Sequence, residues 1–504
     1  MDHTCYLFRY RARPSVCLSA FLTSMSFALP SLAEEPRLAG EPFLLAEPAE
    51  ITQVVDAFDE DDPFDLNLTI GYQYSHQGGD IARESSTTGK TYHFARYTEN
   101  THRLLTRADI GIYRDIALVI RLPIILANER KLEGTGSAKN QADGSTGAAL
   151  DGSTPLFGLP FHAPTRSGIE YLAVGLDFGI LNQYRDASSP TWVFGFEGRF
   201  DVSSPMHACN DTPPTGALKC ADPSDNDRDG NYDASSPVEF ENRSLRNLKE
   251  GVSRGTTGLE IHTYISKRIK YVEPYGGLKF LAEFPTADSD FHTIDFSSSL
   301  VNSPPLEGTV LIGMAVIPWE VRSAHQRATL DFRLATTYRS EGRDYSELFD
   351  ALGSSSAPSL RSPLWSSYQA SSNQTSVIDT SSKRVYFNGL TDVQQHLKNR
   401  VSAEFTWQAA KYVKLGVGVG YTFIQSHFLT DDQACNANLA SDSGKAGPCR
   451  KATTTASGTA SDSEYTITGV PNPNYRPTIN AVGSRYRVDN SSLIDGWLNA
   501  TVLF

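Results

Sequence analysis

The sequence predicts an all-β chain: a closed antiparallel up-and-down transmembrane barrel of about twelve strands, with long loops at one end and short turns at the other. Three observations carry this. Segments in which apolar and polar residues strictly alternate recur twelve times. Each runs about eleven residues, enough for a tilted strand to cross a bilayer, where soluble sheets usually settle for about five or six. The connections between segments alternate short and long without exception. Bulk composition points elsewhere: 504 residues, 39% hydrophobic, with a formal net charge of −13 and a mean hydropathy of −0.33 describe an acidic soluble protein. Those averages mix two environments, since twelve half-outward strands need only about 66 apolar positions. The acidic balance excludes nucleic acid as a partner, because phosphate binding needs a basic face. No apolar run after residue 33 is long enough to span as a helix.

Taken in chain order, the N-terminus reads as a secretory signal over residues 1–33. Arg9, Arg11 and Arg13 precede an apolar stretch from Val16 to Leu29, and small residues at Ser31 and Ala33 bracket a cleavage point before Glu34. Cys5 and Cys17 leave with it. Residues 34–63 form an acidic segment in which Ile51, Val54, Val55 and Phe58 sit at helix-like spacing. A periplasmic lead-in, a short helix and a plug entering the barrel are all open for it.

The barrel domain is expected over 64–504. Strand 1, residues 64–76, places Phe64, Leu66, Leu68, Ile70, Tyr72 and Tyr74 on one face, against Asp65, Asn67, Thr69, Gly71, Gln73 and Ser75. Strands 2 to 12 follow at about 102–113, 116–129, 169–182, 191–202, 256–266, 271–284, 308–319, 327–339, 398–409, 412–426 and 491–504. Short turns fall near Arg114, Asp186, Lys267, Ala324 and Ala410, and all other connections are long and polar. Short turns on one side and long loops on the other place both termini in the periplasm and the long loops outside the cell.

Two long loops carry recognisable chemistry. Cys209 and Cys220 form one close pair, Cys435 and Cys449 another, and in an oxidising compartment each pair is expected to close locally. Loop 5–6 also holds Asp225, Asp227 and Asp229 followed by Gly230, with Asn231 and Asp233 beyond. Hard oxygen ligands two residues apart can converge on Ca2+, and the glycine allows the sharp turn. This resembles the calcium loop of extracellular repeats but departs from it at position 12, where Ser236 replaces a bidentate Glu. A calcium site and a solvated acidic loop both stand. No other cofactor is implied.

The C-terminal strand ends with Leu498, Ala500, Val502 and Phe504 at alternate positions. It resembles the closing strand of Gram-negative bacterial outer-membrane β-barrel proteins. The resemblance implies outer-membrane lipid as surroundings and the barrel-assembly machinery as a partner, reading Phe504 and Val502 as its signal. It names no subfamily.

Turning apolar faces to lipid directs charges of both signs inward: Arg103, Arg107, Asp109, Arg121, Asp177, Glu197, Arg199, Glu260, Lys279, Asp331, Arg333, Arg400 and Glu404 among them. Parity further predicts an odd turn between strands 2 and 3, of three residues, setting Arg121 opposite Arg107 or Asp109. Asp177 and Glu197 are expected to face each other. These charges fit either a solute pathway or a salt-bridge network filling the barrel. A porin-like channel or transporter for a small solute is the favoured function. The alternative is a surface, structural or adhesion barrel acting through its loops. An outer-membrane enzyme ranks below both, since His76, His102, His396 and His427 near the outer strand ends lack an evident Ser partner.

Overall fold

The computed structural model describes residues 49–55, 57, 65–86, 88–135, 155–210, 250–287, 289–292, 303–355, 357–361, 387–433, 435–436, 450–454, 460–467, 470–471 and 475–504. Twelve antiparallel strands close on themselves in sequence order. They are β1 (Leu66–Glu84), β2 (Thr91–Tyr113), β3 (Ile116–Arg121 continued by Ile124–Gly134) and β4 (Arg166–Ile169 continued by Leu172–Leu181). β5 (Thr191–Phe200), β6 (Thr256–Ser266), β7 (Val272–Pro285) and β8 (Glu307–Val321) follow, then β9 (Gln326–Arg339), β10 (His396–Ala410), β11 (Val413–Ile424) and β12 (Tyr486–Leu503). The seam joins β1 to β12, with Asn67 opposite Leu503. Phe504 donates its N–H to the Leu66 carbonyl at 2.9 Å. Closure leaves no edge strand, as lipid requires.

The alternation places apolar side chains outward. Ile70, Val419 and Leu498 are exposed on the outer wall at 61%, 61% and 59%, while Glu197, Glu260 and Asp495 on the opposite parity are buried. A wall with apolar outer and charged inner faces is stable only with lipid around it. Among the described residues no helix is long and apolar enough to cross a membrane. The chain is an integral β-barrel of the outer-membrane type.

The strands differ from expectation in three instructive ways. β1 and β2 run well past residues 76 and 102, so the expected loop 77–101 is mostly ladder. Hydrophobic alternation stops where lipid stops, but backbone pairing continues beyond it, where Ile81, Ala82, Phe94 and Ala95 are buried under the long-loop end of the chain. β3 is broken at Leu122–Pro123, because Pro123 has no N–H for the ladder; the Leu122 carbonyl instead accepts from Thr106 Oγ1 at 2.7 Å. Between β2 and β3 the turn is Arg114–Asp115, two residues rather than three, and a bulge at Ile112 restores the parity. Asp115 takes the left-handed φ of 54°, which its short polar side chain tolerates. Arg107 then stands opposite Arg121.

Candidate functional site: the charged lumen and its two obstructions

Inward charges rarely pair with the residue directly opposite. They reach over an intervening strand, and a small residue beneath makes that possible. In one row, Asp177 of β4, Gly195 of β5 and His262 of β6 are consecutive ladder partners. His262 Nε2 lies 3.0 Å from Asp177 Oδ1, and a Cβ on Gly195 would collide with both. Arg400 of β10 likewise grips Asp495 of β12 at 2.6 Å across Gly420 of β11. Glu404 accepts from Asn499 Nδ2 at 3.4 Å over Gly416. Tyr275 of β7 crosses Gly313 of β8 and donates to Asp331 of β9 at 2.7 Å, with Arg333 3.6 Å from the same carboxylate.

Asp177 and Glu197 do not face each other. Glu197 is opposite Gly175 on one side and Glu260 on the other. The directly opposed pair is therefore Glu197 and Glu260, an arrangement that repels unless cations intervene. Three do. Arg121 reaches Glu197 from β3, with Nε at 2.6 Å. Arg199 contacts Glu260 and lies 3.3 Å from Glu197, and Lys279 Nζ is 3.5 Å from Glu260. Arg107 binds its neighbour Asp109 at 2.8 Å, and Arg103 binds Glu170 at 2.9 Å. Each of the thirteen residues expected in the lumen has a polar partner among the described residues. Parity missed Glu170, and a list of charges left out Tyr275 and Trp497, whose ring lies under Arg400 at 5.6 Å. Glycines at inward positions were the available signal.

At the short-turn end, residues 49–55 pack against inward side chains. A single 3-10 turn, Glu50–Thr52, places Ala49 against Tyr275 and Leu311. Val54 and Val55 pack on Ala117 and Val193, and Thr52 Oγ1 is 2.8 Å from Ser266 Oγ. The Glu50 carboxylate meets Lys414 Nζ at 3.1 Å. A cavity of about 260 Å³ beside this segment is lined by Glu50, Arg107, Arg121, Tyr171 and Lys414.

At the long-loop end, the segment after β9 crosses the mouth. Asp344 binds Arg254 at 2.8 Å, and Arg254 in turn binds Glu283 of β7. Glu347 accepts from Gln77 of β1 at 3.3 Å. β1 and β7 are six strands apart in a ring of twelve, so this segment is tied to one wall directly and to the opposite wall through Arg254. The helix Phe349–Gly353 that follows is wholly buried. Its Leu352 packs with Leu348, Phe157, Phe161, Phe94 of β2 and Tyr486 of β12 in an apolar core at the long-loop end. Two buried ion pairs pin it: Arg166 to Asp350 at 2.6 Å and 3.0 Å, and Arg343 to Asp432 at 2.6 Å and 2.8 Å.

The remaining sequence candidates divide. His76 Nδ1 lies 2.7 Å from Asn100 Oδ1 on the outward face, and Tyr72 Oη lies 2.6 Å from His102 Nδ1. Among the described hydrogen bonds of these histidines none involves a serine. His396 and His427 stack on each other with ring centroids 3.7 Å apart. Asp225, Asp227, Asp229, Asn231 and Asp233 lie outside the described residues, as do Cys220, Cys449 and the side chain of Cys435; Cys209 is buried. Residues 1–33 also lie outside them.

Fold and lumen together define an integral outer-membrane-type β-barrel whose polar interior is obstructed at both ends by its own chain. No family model and no curated protein matches the sequence. Among solved structures, an outer-membrane channel from Pseudomonas putida F1 is similar at 10% identity and a TM-score of 0.34, over 89% of this chain and 100% of the other. A FadL homologue of Pseudomonas aeruginosa gives 8% and 0.30, over 87% and 90%. The outer-membrane protease OmpT of Escherichia coli gives 7% and 0.24, over 88% and 99%. At these scores the likenesses carry no functional weight, and the barrel rests on its own strand ladder.

Proposed function

We propose that this protein is an outer-membrane channel for small polar or charged solutes, seen with its passage closed. The observation that carries the reading is the interior: a lumen lined by both charge signs, with a cavity of about 260 Å³ beside a short N-terminal segment that only partly fills it. A barrel built solely as an anchor has no need of open polar volume at its centre. In this reading residues 49–55 act as a plug and the long-loop cap as an outer gate, with both termini periplasmic and the cap extracellular. Residues 1–33 are proposed as the secretory signal, and Phe504 with Val502 as the assembly signal. Local disulfides Cys209–Cys220 and Cys435–Cys449, and Ca2+ in the Asp225–Asp233 loop, remain proposals of the same kind. Planar-bilayer recording tests the function. Rare or small conductance steps are expected from the full chain, and steady, larger steps after deletion of residues 34–63. A barrel that stays silent in both forms overturns the channel and leaves the apolar-cored cap as the working part, in a surface protein.

A further inference from the structure

We infer that the Glu50 carboxylate is an internal occupant of an anion site, and that the solute class for this lumen is small organic carboxylates that displace it. The inference rests on the channel reading above. Glu50 belongs to no strand; it is carried into the lumen on the N-terminal segment, and its carboxylate is held at 3.1 Å by Lys414 of β11. Arg107 of β2 lines one lumen cavity with Glu50, and Arg333 of β9 lines the other. One cation thus binds, and two more lie beside, a negative group that the barrel itself does not supply, with Asp331 and Glu404 as the carboxylates in the same cavity. Glu50 also stands between the two lumen cavities, lining both. Apart from Glu50, those cavities are lined by five Arg or Lys side chains and three carboxylates. Without Glu50 the surplus is two positive charges, and with it one. A cationic or neutral solute would gain nothing by moving Glu50 aside.

A carboxylate solute, in contrast, replaces like with like: Lys414 keeps an anionic partner and the plug loses its only ion pair to the wall among the described residues. Thr52 to Ser266, the packing of Ala49 on Tyr275 and Leu311, and the small Val54–Val55 contact then remain to hold the segment. The adjoining cavity includes Leu105, Pro123 and Tyr171 beside its charged groups, so it suits a carboxylate with an apolar or aromatic body. Occupation of the site and release of the plug become one event.

Glu50→Gln keeps the shape and removes the charge. Sodium benzoate is the probe, titrated calorimetrically into the detergent-solubilised full chain. Glu50→Gln should bind it about fivefold to tenfold more tightly than the wild type, because a half-exposed ion pair no longer competes. Lys414→Gln should abolish the gain in the Glu50→Gln background. In bilayers, Glu50→Gln should open more often than wild type and show a reversal potential shifted towards chloride in a KCl gradient. Equal benzoate affinity in wild type and Glu50→Gln overturns the inference, whatever the conductance. Failure of the channel reading looks different: the deletion of residues 34–63 is silent, while the benzoate titration still decides who occupies the site. Tight benzoate binding that survives Lys414→Gln also overturns it.

Discussion

At the residue scale, the recurring device of this barrel is the inward glycine. Gly195 is not there for backbone freedom; it is there because Asp177 and His262 meet above it. Gly195→Val should therefore force that pair apart and cost about 1–3 kcal/mol, as overpacking does. The measurement is denaturant unfolding of the refolded barrel. In a His262→Ala background the same substitution should cost clearly less, since the space is already open. Equal losses in both backgrounds would contradict the bridge. Gly308, whose added Cβ meets nothing within 4 Å, is the control, and Gly308→Ala should be near neutral. Similar reasoning applies to Arg166, which is fully buried with Asp350. Arg166→Ala strands a buried carboxylate and should destabilise the cap by about 3–5 kcal/mol, seen as faster proteolysis of the long loops with the barrel left intact.

At the element scale, the cap and the strands answer to different physics. The cap's short sheet, Gly342–Asp344 on Thr391–Val393, sets Arg343 beside Asp392. Burial, and behind it the Asp432 carboxylate, holds the Asp392 carboxyl well above the usual carboxylate range. Glu341 is shifted up as well, by burial first and then by Asp431. A carboxyl whose folded pKa is raised binds more protons folded than unfolded. Its stabilising contribution is full below the unfolded value and is lost as pH rises through the folded one. The cap should thus loosen as pH climbs from the ordinary carboxylate range through these raised values. Hydrogen exchange across 342–353 and 390–393 should be faster at about pH 8 than at about pH 5, after correction for intrinsic exchange. Asp392→Asn should flatten that dependence, and a dependence that survives the substitution assigns it to other groups. The strand ends teach a related lesson. Period-two alternation marked β1 up to His76 and could not mark Gln77 to Glu84, where Ile81, Ala82 and Arg83 are buried on both faces, Ile81 in the apolar core of the cap, while the ladder with β2 continues.

At the scale of the whole molecule, lipid is the outer solvent of the fold. Val417 points outward in the row Phe405, Val417, Leu498, and Val417→Arg should cost about 2–4 kcal/mol if that row is near the midplane. Refolding into vesicles, followed by the gel mobility of the folded form, checks it; a yield equal to wild type would move this row out of the hydrocarbon. The two obstructions are also properties of the whole. One reaches β1 directly and β7 through Arg254 across the mouth, the other touches β3, β5, β6, β7, β8 and β11 from inside. Neither can be seen strand by strand.

The sequence by itself determined the twelve strands, their alternating connections, which face meets lipid and which charges turn inward. All of these follow from a period of two and from the cost of a charge in hydrocarbon, both local to each segment. It also set Arg107 or Asp109 opposite Arg121, because parity constrains register even when the turn is misjudged. Only the tertiary structure decided the partners. Side chains that reach over a glycine join strands two apart, so Glu197 meets Arg121 and not Asp177, and no adjacency in sequence encodes that. Nor does the N-terminal acidic stretch announce its own position: Ala49 to Val55 finds its place only where an assembled ring of strands offers Lys414, Ser266 and Tyr275 together.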